Sequence, residues 1–199
     1  MKNLTTTICL AVTLLIGSAG VSWSQDLDKG LSAYLNDDYA TALREWEPLA
    51  KQGNAEAQRL LGGMYRNGKG VLQDYKAAVK WFRLAAEQGH TEAQYNLGGM
   101  YEEGQGVLQD YKTAAKWFTL GAEQGDVNAQ NMLGTLNAMG RGFKQNWVYA
   151  HMWGNITASK GDDIGVRLRD LAAKKMTPSQ LEKAQKLARE CVRKNYKGC

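Results

Sequence analysis

A chain of 199 residues, 44% of them hydrophobic, is long enough to bury one sizeable core. Its formal charge of +5 is mild, with cations interleaved among acids, which suits a soluble protein with a taste for acidic partners and argues against a nucleic-acid groove. Two prolines, 22 glycines and few β-branched runs point to an all-α chain whose helices are broken by glycine.

Residues 1–24 read as a signal peptide: Lys2 is a positive n-region, Ile8 to Ile16 an apolar stretch too short to span a bilayer comfortably, and Gly17 to Ser24 a small-residue run. The expected cut lies between Ser24 and Gln25. Cys9 falls inside the apolar stretch and no cysteine follows the small residues, so a lipid anchor is not indicated. Export places the chain in an oxidising compartment, where Cys191 and Cys199, the two cysteines left, are expected to form a disulfide.

Residues 25–37 should form an N-terminal cap, with its capping helix over Leu27 to Leu35. From Asp38 the register D-Y-A-T-A-L-R-E-W returns at Asp74 as D-Y-K-A-A-V-K-W-F and at Asp110 as D-Y-K-T-A-A-K-W-F, then in weaker form at Asn146. Gly53, Gly89, Gly125 and Gly161 close these segments, each 36 residues from the last. Repeats are therefore expected over 38–73, 74–109 and 110–145, with a partial one from 146 to 160. Asp38, Asp74, Asp110 and Asn146 are candidate N-caps for the first helix of each unit, and Asn54, His90, Asp126 and Asp162 for the second. Gly62, Gly98 and Gly134 fall mid-helix, where glycine costs roughly 1 kcal/mol; their recurrence suggests two helix backbones in close approach. Residues 161–199 are expected to supply C-terminal capping helices. The last begins with Thr177-Pro178-Ser179-Gln180, a capping box with proline at the first helical position.

The pattern A-x-x-W-F…A-A-x-Q-G…A-Q-x-x-L-G-x-M-Y-x-x-G-x-G-V-x-x-D resembles the Sel-one-like repeat (SLR) family, a relative of the tetratricopeptide repeat. The resemblance covers Asp38 to about Lys160. It implies an α-solenoid, or superhelix, of antiparallel helix pairs with about ten helices, in which the first helices line the concave side. It also implies a protein-binding scaffold rather than an enzyme.

Chemistry is sparse. His90 and His151 occupy different repeat positions and neither sits in H-E-x-x-H; His90 reads as a polar cap. S-x-x-K and G-x-S-x-G are absent, and the G-x-G triplets lack the further glycine and lysine of a phosphate loop, so they read as turns. Glu102-Glu103 and Asp162-Asp163 lie at helix ends and read as solvated or capping carboxylates. No catalytic residue, cofactor or metal site is expected.

What remains is surface. On a helical wheel the first helices carry a stripe of Ala77, Trp81, Leu84 and Gln88, repeated as Thr113, Trp117, Leu120 and Gln124. The opposite arc carries Arg44, Glu47 and Lys51, then Lys76, Lys80, Arg83 and Glu87, then Lys112, Lys116, Thr119 and Glu123. Arg44, Lys80, Arg83 and Lys116 are candidate contacts for an acidic protein, with Trp81 and Trp117 as anchors; inter-repeat core is the alternative reading of the tryptophans. The fourth repeat adds an apolar patch at Tyr149 and Met152, either covered by the last helix or open for docking.

The reading that results is a periplasmic adaptor or regulator in a Gram-negative bacterium, binding another protein and neither nucleic acid nor, after cleavage, membrane. The alternative is an envelope enzyme or binder acting on peptidoglycan or β-lactams, as proposed for a cysteine-rich branch of SLR proteins. This chain departs from that branch because its repeats lack the paired cysteines.

Overall fold

The computed structural model describes residues 24–199. Among them are ten helices and no strand. Helix α1 covers 24–35, ending at Leu35 as expected and beginning three residues before Leu27. There follow α2 (Tyr39–Lys51), α3 (Ala55–Asn67), α4 (Tyr75–Glu87), α5 (Thr91–Glu103), α6 (Tyr111–Ala122), α7 (Val127–Met139), α8 (Trp147–Ala158), α9 (Asp163–Ala173) and α10 (Pro178–Arg193). The signal-peptide expectation falls outside the described residues except for Ser24.

From α2 to α8 each boundary is written by a polar cap and a glycine. Asp74 accepts from the backbone N–H groups of Lys76 and Ala77 at 2.8 and 3.0 Å, and Asp110 repeats this on Lys112 and Thr113. Asn54, Asp126 and Asp162 cap the second helices through Ala57, Ala129 and Gly165. Each such cap stabilises its helix by about 1 kcal/mol. Gly68, Gly104 and Gly140 end α3, α5 and α7 with φ of 66°, 71° and 69°, a left-handed conformation that an L-residue with a Cβ resists.

From α2 to α9 each helix packs on its chain neighbour, and α10 turns back to lie on α8. The core is correspondingly segmented: Trp46 centres the first repeat, Phe82 the second and Phe118 the third. The mid-helix glycines explain how these segments interlock. A Cβ on Gly62 would lie 2.6 Å from the Phe82 ring, and one on Gly98 2.7 Å from Phe118. Gly30 of α1 receives Trp46 in the same way. The close approach expected at Gly62 and Gly98 is therefore of ring to helix, not of backbone to backbone. True backbone contact appears further along, where a Cβ on Gly154 would lie 2.7 Å from the amide nitrogen of Arg169 and let α8 and α9 no longer touch.

A second lattice joins the repeats. Buried Gln58, Gln94 and Gln130 each donate from Nε2 to the carbonyl of Ala50, Ala86 or Ala122, at 3.0, 3.2 and 3.1 Å. Their Oε1 atoms accept from the next repeat: Gln88 at 2.7 Å, Gln124 at 2.8 Å and Lys160 at 3.0 Å. Gln88 and Gln124, placed on a surface stripe by the helical wheel, remain exposed there and reach in to close a part-buried hydrogen-bond ladder on Gln58 and Gln94.

Candidate functional site

The face built by α2, α4, α6 and α8 carries the residues singled out above. Lys80 and Lys116 are exposed, as are Lys76 and Lys112, and none of the four makes an ion pair among the described residues. Residues three and four apart on one helix are neighbours, so Lys76 and Lys80 form one cationic pair and Lys112 and Lys116 the next. Arg44 is exposed but engaged, bonding Thr41 Oγ1 and sharing Glu45 with Lys29. Arg83 donates from Nη2 to the Tyr101 hydroxyl at 2.5 Å, its guanidinium 5.7 Å from the ring centre.

Two expectations need correcting. Met152 is 1% exposed, sealed beneath α10 with Ala188 and Cys191, so it has no surface to offer a partner. The fourth-repeat patch is covered there because a solenoid end must hide its apolar face. Trp81 packs on the first-repeat core and Trp117 on the second, so both are inter-repeat staples and partly buried. Tyr149 keeps its place on the surface and is half-buried.

Tyr149 also lines a cavity of about 380 Å³ that pattern reasoning did not find. Its other walls are Thr119 of α6, Leu133 and Asn137 of α7, Phe143, Lys144 and Asn146 of the following loop, Trp153 of α8, and Cys199. Cys199 is held there by its bond to Cys191, with Cα atoms 5.6 Å apart, and Gly198 donates its N–H to Glu123 at 2.9 Å. An open groove runs on from the cavity past Phe143 and Lys144 to Lys112 and Asp110. A signal existed in the sequence: the L-G-x-M-Y of two repeats becomes L-G-T-L-N at Asn137.

The titratable groups elsewhere serve structure. His90 caps α5, its Nδ1 accepting from Ala93 N–H while Nε2 lies 2.7 Å from Glu56 Oε2. The hydrogen bond from His90, followed by those from Arg59, holds the Glu56 carboxyl down to about 2. His151 is buried with Nδ1 unpartnered, and burial, aided by Arg169, lowers its pKa. Glu102 is half-buried rather than solvated; burial first and Glu103 second raise its carboxyl. Among the described residues no cluster of histidine, cysteine and carboxylate side chains could hold a metal ion, and no helix is long and apolar enough to cross a membrane.

Comparison with known proteins matches a family model described as Sel1 repeat to residues 55–90, 91–126 and 127–162, the same 36-residue period phased from the second helix. No curated protein sequence matches significantly. Among solved structures, a Sel1 repeat protein from Oxalobacter formigenes is 28% identical over 81% of this chain and 74% of its own, with a TM-score of 0.63. A protective antigen present in uropathogenic Escherichia coli strains and displaying an SLR fold is 29% identical, with a TM-score of 0.60 over 79% of this chain. This chain spans 42% of the length of that antigen.

Proposed function

This chain belongs to the Sel1 repeat family, and from that premise we propose that it is an exported adaptor or regulator that binds an acidic protein partner across its row of first helices. Sel1 repeats generally mediate protein–protein interaction. The observation that carries the finer reading is the recurrence of two exposed, unpaired lysines at the same places on α4 and α6. Charges left unpaired in this way steer and orient a partner of opposite sign. The Cys191–Cys199 bond and the apolar stretch at Ile8 to Ile16 support an oxidising compartment, with the periplasm as the one proposed.

The test is partner capture by cross-linking from envelope extract, comparing wild type with K76E/K80E/K112E/K116E. All four side chains are exposed, so the variant should melt like wild type and lose the captured partner. Equal capture by a folded variant would remove the cationic row from the interaction.

A further inference from the structure

The cavity beside Tyr149 exists because the third repeat lacks a side-chain pair that fills the equivalent place in the second. One period back from Thr119 and Asn137 stand Arg83 and Tyr101. There the Tyr101 ring packs against both the second-repeat and third-repeat cores, with Arg83 bonded to its hydroxyl. In the third repeat both members are truncated, to a threonine and an asparagine. The walls move the other way: Phe143 stands where Val107 does, Tyr149 where Thr113 does, and Trp153 keeps the place of Trp117. A small polar floor within larger aromatic walls is a site vacated by the chain's own tyrosine.

From this we infer that the cavity is a binding site for one aromatic side chain, tyrosine best, presented by an extended partner segment with acidic neighbours. The inference rests on the protein-binding reading above and names what the partner must carry. The space of about 380 Å³ lies in the range of ligand pockets and accommodates a phenol ring with part of its backbone. Asn137, Asn146 and Thr119 line it. Asn137 and Thr119 already donate to the carbonyls of Leu133 and Ala115, and Asn146 Oδ1 caps α8. Asn137 Oδ1 and Thr119 Oγ1 can therefore accept from a phenolic hydroxyl, and Asn146 Nδ2 can donate to a peptide carbonyl. Three aromatic walls would equally attract a cationic ligand, but Lys144 lines the same cavity and Lys112 the groove beyond. Acidic residues flanking the tyrosine complement those two ammonium groups.

The repeat itself supplies the control. T119R/N137Y installs the second-repeat pair and refills the cavity from within, while Y149T restores the smaller wall of the third repeat's first helix. The probes are acetylated, amidated pentapeptides Glu-Glu-Tyr-Glu-Glu and Glu-Glu-Ala-Glu-Glu, titrated by calorimetry. Wild type should bind the tyrosine peptide at least tenfold more tightly than the alanine peptide. T119R/N137Y should abolish that ratio and Y149T should shrink it, both with melting curves showing a folded chain. Equal binding of the two peptides by wild type, or an unchanged ratio in refilled T119R/N137Y, would overturn the inference. If the ratio behaves as expected while K76E/K80E/K112E/K116E captures the partner unimpaired, the cavity is supported and the cationic row is not. The reverse pattern removes the cavity and keeps the row.

Discussion

The junction between the second and third repeats and the junction between the third and fourth share one backbone plan and differ in how they are filled. In the first, Phe118 seats against Gly98, and Tyr101 bridges two core segments under Arg83. In the second, residue 154 is glycine where Phe118 would recur, and Leu168 of α9 takes the notch at Gly134 instead. Asn137 then leaves open what Tyr101 closes. A repeat that needs its neighbour for a core cannot spare its central ring, but it can spare a peripheral one. The closed junction is scaffold, and the open junction is where the inferred partner tyrosine would enter.

The largest expected effect breaks the closed side. Phe118→Ala should cost about 3–5 kcal/mol in chemical denaturation, since a fully buried ring would leave a cavity across the junction. Asn137→Ala on the open side should cost less than about 1 kcal/mol, because its side chain already borders empty space. Comparable losses at both positions would erase the distinction.

Next in size is the disulfide that walls the open junction. Cys191→Ser with Cys199→Ser should lower stability by roughly 2–3 kcal/mol for so short a loop. It should also weaken binding of the tyrosine peptide, because Cys199 lines the cavity. Calorimetric melting and the peptide titration read both effects, and unaltered peptide binding would free the cavity of the tail.

A smaller effect comes from His151, buried on α8 of the open side. Its folded-state pKa is depressed by burial, so the folded chain holds the neutral ring while the unfolded chain takes up a proton below about 6.5. Stability should therefore fall as pH drops from 7 to 5, and His151→Phe should flatten that slope. Smaller still is Glu56 of α3, whose carboxyl is held at about 2. Its contribution is fully present above about 4.5, the ordinary glutamate range, and is lost as pH falls toward 2. Glu56→Gln should lose its deficit relative to wild type over that window; a gap constant with pH would deny Glu56 the role.

Repeat length, helix boundaries and caps were legible in the sequence because each obeys a local rule restated in every unit. Asp74, Gly68 and Asp126 act within a few residues of themselves, so their types alone disclose their tasks. The glutamine ladder was not legible: Gln88 finds its acceptor on Gln58, thirty positions back, and a helical wheel sees one helix at a time. Met152 failed for the same reason, since α10 covers it from the far end of the chain. The cavity lay between these cases. Asn137 broke the pattern visibly, but the break becomes a hole only when Thr119 faces it and nothing larger reaches in.

The view that one frame is closed at one junction and open at the next meets its most direct test in the denaturation midpoint of T119R/N137Y. If the space is truly vacated, the chain accepts its own second-repeat pair, and the midpoint should equal or exceed that of wild type with an unchanged denaturant slope. A loss of about 2 kcal/mol or more, the usual result of forcing side chains into a filled core, would show that the third junction has no room for them and contradict the comparison on which the cavity rests.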